Sequence, residues 1–256
     1  MNLSVQENDM AKEVTETDLL DLTGQNSGTI SEQIEPQSLI SAALRFQELM
    51  LLYDSGIREM MTKLETWKKE LSIKGQHVPI ESMQSRLKRP ESIAKKLKKQ
   101  GYAVTLDAMK IHLHDIGGIR VICPYISDIY TVRNMIVSQP DIHLLAEKDY
   151  VQSPKDNGYR SLHLIISTDV CLSESMESVK LEIQLRTLSM DSWAALEHKL
   201  RYKSKEEVPE DLSRRLKACA EVMALADREM EQIAEQLNVF DETREKDPQF
   251  VTFGSH

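Results

Sequence analysis

The chain has 256 residues, 41% of them hydrophobic and 29% charged, a balance that suits one large soluble domain or two small ones. A net charge of −9 argues against non-specific nucleic-acid binding as the main task, so no stable nucleic-acid partner is expected. Cys123, Cys171 and Cys219 form no CxxC pair and leave an odd count, which excludes a disulfide scaffold or zinc site from consideration and points to a reducing compartment.

Residues 1–37 hold eight acids against the single Lys12, with Ser, Thr, Gln and Asn between them. Such a segment buries too little apolar surface to offset its chain entropy and reads as a disordered acidic tail. It lacks the cationic and apolar regions of a signal peptide. No later apolar run approaches the ~18 residues of a membrane span, so a cytoplasmic protein without membrane association is expected.

From Leu39 the pattern turns helical. Leu39, Ala43, Phe46, Met50, Tyr53, Ile57, Met60, Leu64, Trp67 and Leu71 alternate in steps of four and three, a heptad-like seam weakened at Gly56 and ending near Gly75. A second seam, Leu212, Leu216, Cys219, Met223, Ala226, Met230, Ile233 and Leu237, follows Pro209, which sits where a first-turn proline belongs. Two such helices must cover the central sheet, each other, or a second subunit.

An α/β core is expected between them. Pro90 starts and Gly101 stops a short helix, Glu91 to Gln100. Around it Arg86, Lys88, Arg89, Lys95, Lys96, Lys98 and Lys99 are opposed only by Glu91. In an acidic protein, cations at a helix N-terminus invite polyphosphate. Lys98 and Lys99 read as solvated, whereas Arg86, Lys88, Ser92 and Lys96 read as binding residues. His112-Leu-His-Asp115-Ile-Gly-Gly118 opens a strand, Ile119 to Pro124, with the paired glycines allowing close approach and a tight turn. Asp115 at the strand edge is well placed to hold a metal. His114-Asp115 alone lacks the further ligands of an HD-type phosphohydrolase, and His112 and His114 read as structural.

A helix (Asp128 to Ser138) and a strand (Ile142 to Lys148) precede the turn-rich loop carrying Lys155. In the strand beginning at Tyr159, alternation puts Tyr159, Ser161 and His163 on one face, able to stack on and hydrogen-bond to a planar base, or simply half buried. Val179 to Thr187 alternates strictly. Val179, Leu181, Ile183 and Leu185 face one way, while Lys180, Glu182, Gln184 and Arg186 face the other. Alone, that polar face reads as solvated. Leu188 to Lys203 reads as a helix with Met190, Trp193, Leu196 and Leu200 as its stripe, Trp193 in core packing, and a Glu197–Arg201 pair.

Five segments in order carry a resemblance: Arg86-x-Lys88-x-x-x-Ser92-Ile93, Asp115-Ile-Gly-Gly-Ile-Arg120, Lys155-x-x-Gly158-Tyr159-Arg160-Ser161-x-His163, Glu182-Ile-Gln184-Leu-Arg186-Thr187 and Trp193-x-x-x-Glu197-His198. Over roughly residues 80–205 the chain resembles the synthetase domain of the RelA/SpoT family, specifically its small alarmone synthetases. The resemblance implies an α+β, nucleotidyltransferase-like fold: a mixed sheet flanked by helices, with long N- and C-terminal helices. It implies transfer of the β,γ-diphosphate of ATP to the ribose 3′-hydroxyl of GTP or GDP, giving (p)ppGpp for the stringent response. Arg86 and Arg120 would sandwich the adenine, and Lys88, Ser92 and Lys96 would hold the ATP phosphates. Tyr159 would stack on the guanine, with Lys148, Lys155, His163 and Gln184 lining the acceptor nucleotide or the phosphates between the substrates. Lys148 stands where relatives often have arginine. Asp115 and Glu182 would be the catalytic and Mg²⁺-holding carboxylates, with Glu182 deprotonating or orienting the hydroxyl and kept ionised by the metal and neighbouring lysines. Arg186 and Asp191 have no assigned role.

The expected division is a tail (1–37), a synthetase unit (38–205), a C-terminal helix (206–240) and a flexible end (241–256). With only tail and helix before Arg86, no hydrolase is expected, and the family implies a homotetramer held by the flanking helices. The alternatives are a catalytically silent nucleotide- or RNA-binding module and another nucleotidyltransferase on the same fold.

Overall fold

The computed structural model describes residues 36–203, 209–237 and 239–240. The predicted disordered tail, apart from its last two positions, and the predicted flexible end lie outside the described residues. So does the Arg201 side chain of the expected Glu197–Arg201 pair.

The elements are α1 (Pro36–Lys74), β1 (Ser82–Leu87), α2 (Pro90–Lys99), α3 (Leu106–His112), β2 (Gly117–Cys123), α4 (Ile126–Val137), β3 (Ile142–Asp149), β4 (Leu162–Cys171), β5 (Met176–Thr187), α5 (Leu188–Lys203) and α6 (Glu210–Gln236). The strands form one sheet in the order β1-β2-β5-β4-β3. Only β2 and β5 run parallel, so the sheet is mixed, as expected. Period-two alternation gives it one apolar face, built from Ile119 and Val121, Leu162, Leu164 and Ile166, and Val179 through Leu185 on alternate positions. α1 and α4 join that face in a single core.

The N-terminal seam behaves as an intramolecular stripe. Phe46, Tyr53, Ile57, Met60 and Leu64 are buried against the sheet, and the helix stops at Gly75, whose φ of 65° suits a glycine after the last turn. Gly56, weak in helical terms, is where α1 comes closest to the sheet: a Cβ there would lie 2.4 Å from Val179 Cγ1. Gly117 makes room from the sheet side: a Cβ there would lie 3.3 Å from Ile57 Cδ1 of α1 and 2.6 Å from Leu181 Cδ2 of the neighbouring strand. The glycine pair therefore provides close approach but no tight turn, since both residues lie inside β2.

Two other expectations need correction, and two elements, β1 and α3, were not foreseen. Thr105 caps α3 by accepting from the Ala108 amide at 3.1 Å. The C-terminal seam is not the buried face of α6. Ala220, Ala224, Asp227 and Ala234 point inward, while Leu212, Met230, Ile233 and Leu237 are exposed, because close packing on α5 and α4 admits only small side chains. On α5 the stripe ends at Trp193, which is buried and donates to the Leu216 carbonyl at 2.9 Å, whereas Leu196 and Leu200 are exposed.

Candidate active site

The second face of the sheet is polar, and strand register decides what meets there. Arg86 on β1 pairs with Gly118 on β2, which pairs with Glu182 on β5. The next row runs across all five strands as Gln84, Arg120, Gln184, His163 and Lys148. In both rows the side chains stand over one surface, and glycine at 118 leaves the space beside Arg86 and Glu182 clear.

Asp115, just before β2, lies at one end of this surface. Its Oδ2 accepts from Lys88 Nζ at 2.6 Å and from Lys96 Nζ at 2.7 Å, so β1 and α2 deliver both cations to one oxygen. Burial pushes its carboxyl upward, but the two lysine contacts outweigh this and hold it below the usual carboxylate range. Oδ1 is buried and has no hydrogen-bond partner among the described residues. Ser92 is exposed in the first turn of α2, and Arg86 is exposed beside the cluster. Arg120 is half buried, and burial together with the nearby Arg186 lowers its guanidinium from the ordinary value.

Glu182 lies in a closed ring of hydrogen bonds. Its Oε1 is 3.1 Å from His163 Nδ1, and its Oε2 accepts from Gln184 Nε2 at 3.0 Å. Gln184 Oε1 accepts from Arg186 Nη2 at 2.8 Å, the same nitrogen donates to Tyr159 Oη at 2.6 Å, and Tyr159 Oη meets His163 Nε2 at 2.8 Å. Burial raises the Glu182 carboxyl and Asp115 adds to that, but the hydrogen bonds from His163 and Gln184 leave it below its ordinary value. Glu182 is thus held ionised by an imidazole and an amide, not by lysines, which are engaged at Asp115. The influence of Asp115 on Glu182 also shows that the two carboxylates sense each other.

Ser161, expected beside Tyr159 and His163, is fully buried and donates to the Leu185 carbonyl at 3.1 Å. It satisfies backbone at the mouth of β4 and is unavailable to a base. Tyr150 takes a place in the aromatic cluster instead: its ring packs edge-on to His163 with centroids 5.3 Å apart. Lys155 Nζ sits 4.5 Å from the Tyr150 ring centroid and 4.8 Å from that of Tyr159. Lys148 is exposed at the end of its row. His112 is outside the site, stacked on Tyr102.

Sequence reading left out Arg186, Asp191 and Tyr150. Arg186 was visible on the polar face of its strand; yet its burial to 6% side-chain exposure, and the 3.0 Å contact to Asp191, depend on α5 folding back over β5. Asp191 Oδ1 also lies 3.3 Å from Arg120, bridging the two arginines. Among the described residues no helix is long and apolar enough to cross a membrane, and no group of three or more His, Cys, Asp or Glu is arranged to enclose a metal.

Residues 85–207 match the model of the region found in RelA / SpoT proteins. The chain is 45% identical over 181 residues to GTP pyrophosphokinase YwaC of Bacillus subtilis, covering 71% of this chain and 86% of that one. It is 30% identical over 189 residues to GTP pyrophosphokinase YjbM of the same organism, covering 74% and 88%. The crystal structure of small alarmone synthetase 2 from Bacillus subtilis superposes with a TM-score of 0.68 at 42% identity, over 75% of this chain and 98% of that one. That of small alarmone synthetase 1, bound to its product pppGpp, gives 0.69 at 30% identity, over 75% and 98%.

Proposed function

Because the chain belongs to the RelA/SpoT family, among its small alarmone synthetases, and is a GTP pyrophosphokinase that makes (p)ppGpp, we propose that the polar sheet face is where the diphosphate is transferred. The observation that carries this reading is the placement of two ionised carboxylates on one surface, one clamped by lysines and the other ringed by an imidazole and an amide.

The donor ATP lies on the β1–α2 side. Arg86 and Arg120 hold the adenine between guanidinium planes, and Lys88, Ser92 and Lys96 receive its phosphates at the N-terminal end of α2. The acceptor GTP or GDP lies over Tyr159, whose ring stacks on the guanine, while Lys148, Lys155, His163 and Gln184 meet the acceptor and the phosphates between the nucleotides. Glu182 accepts a hydrogen bond from the ribose 3′-hydroxyl and takes its proton as the 3′-oxygen bonds to the β-phosphorus. The bond from the β-phosphorus to the α-phosphate oxygen breaks, and AMP leaves. A carboxylate held low is a weak base, but a loose phosphoryl transition state asks mainly for aim and charge neutralisation.

The unpartnered Asp115 Oδ1 suits Mg²⁺, a cation that takes one or two carboxylates and completes its shell with phosphate oxygens. Asp115 with Glu182 would hold it, and it would supply charge neutralisation on the travelling diphosphate.

Residues 38–205 form the synthetase unit and 206–240 its C-terminal helix in this reading. A homotetramer is supported by the apolar side chains that α6 leaves exposed, including Val222, Leu225 and Met230. The three free cysteines suit the reducing cytoplasm.

Incubation with ATP, GTP and Mg²⁺ followed by chromatography should give AMP and guanosine carrying a 3′-diphosphate. Glu182→Gln should lower kcat by about 10²–10⁴-fold while nucleotides still bind by calorimetry. Turnover near wild type in that variant would remove Glu182 from the mechanism.

A further inference from the structure

Counting protons around the ring of hydrogen bonds shows that its direction is set at one residue. Arg186 can only donate. Its Nη2 gives one hydrogen to Tyr159 Oη and the other to Gln184 Oε1. Tyr159 has a single proton of its own, and with Arg186 filling an acceptor position of Oη that proton is left for His163 Nε2. An imidazole that accepts there carries its hydrogen on Nδ1, which faces Glu182 Oε1. On the other branch, the amide oxygen of Gln184 is committed to Arg186, so the amide nitrogen is turned to Glu182 Oε2. Both branches end by presenting a donor to the same carboxylate. Asp191 holds the guanidinium by its other terminal nitrogen, Nη1, at 3.0 Å, and also contacts Arg120 at 3.3 Å.

We propose that Arg186, anchored by Asp191, is the positioning residue of this site: it fixes His163 in the Nδ1–H form and Gln184 in one amide orientation, and so aims Glu182 at the acceptor hydroxyl. The proposal rests on the reading of Glu182 given above. Arg186 does not touch the nucleotides in this role; it acts through the three side chains between it and the hydroxyl. The part calls for arginine. A lysine head is a point charge and cannot place parallel donors on Tyr159, Gln184 and Asp191 from one plane. The Asp191 bridge to Arg120 further ties the aim of the base to the residue assigned to the adenine.

The test has two independent arms. The first needs no variant: nitrogen-15 spectra of the intact protein labelled at histidine, with His163 assigned by comparison with His163→Gln, should show a hydrogen on Nδ1 and a bare Nε2. A hydrogen on Nε2 would overturn the proposal whatever Glu182 does. The second compares Arg186→Gln and Arg186→Lys with wild type. Both should lose about 10²-fold in kcat, the scale of a misaimed reacting group, with KM for each nucleotide within about threefold. Asp191→Asn should show the same pattern in weaker form. A fall in kcat with the His163 signal unmoved, or one matched by an equal rise in KM, would mean a merely structural role and would refute the assignment. Failure of the Glu182 reading would instead appear as an active Glu182→Gln enzyme, with the wild-type His163 spectrum still as described.

Discussion

A carboxylate that must stay charged can be held by ammonium groups or by an imidazole and an amide, and the two acids of the polar face use one means each. Asp115 relies on Lys88 and Lys96, whereas Glu182 relies on His163 and Gln184. Both fold with lowered pKa, so each contributes stability that is present above the ordinary carboxylate range and is lost as pH falls through the folded value. Asp227 has the opposite sign. It is buried on α6, and burial raises its carboxyl despite hydrogen bonds from Thr187, at 2.6 Å, and Ser189. Its contribution is therefore complete below the ordinary carboxylate range and disappears as pH rises through the raised value. Asp227→Asn keeps an oxygen for Thr187 and removes the charge. Thermal unfolding should show the variant gaining on wild type as pH rises above the ordinary carboxylate range. A gap that narrows or reverses with rising pH would contradict this account.

At the scale of elements, the packing of α1 is set by absent methyl groups. Gly56→Ala would place a Cβ against the stiff side chain of Val179. It should cost about 1–3 kcal/mol by denaturant unfolding, and much less when made in a Val179→Ala chain. If Gly56→Ala costs as much in that chain as in wild type, the clash is not the cause. This contact also shows how far the sequence could be read. Helical periodicity located the buried stripe of α1 because a sheet accepts large side chains along its whole length. It misread α6, where the partners are α5, α4 and the loop at Gly158 and the inward positions are alanines and Asp227. Within the site, alternation alone put Glu182, Gln184 and Arg186 on one face of β5. The ring they complete depends on the offset of β4 against β5, which brings His163 opposite Gln184, and no local pattern encodes that offset.

On the scale of the whole molecule, α6 covers α5 with small residues and turns large ones outward. Val222 is 67% exposed and Leu225 58%. An apolar row of this kind on a long helix needs cover, and the proposed tetramer supplies it. Light scattering should report an oligomer for the wild type, and Leu225→Glu with Val222→Glu should reduce its mass. A stable wild-type monomer would rule the assembly out.

The loop that carries Lys155 and Tyr159 turns at Gly158, where φ is 91° and an added Cβ would meet Ala220 Cβ of α6 at 2.7 Å. The backbone of this loop is thus seated directly on the C-terminal helix, with only the Ala220 methyl group between them. The two parts are interchangeable only as a set. A chimera that borrowed α6 from a relative, with anything bulkier at this seat, would shift Lys155 and Tyr159, proposed to meet the acceptor, even though every residue of the polar face was left untouched.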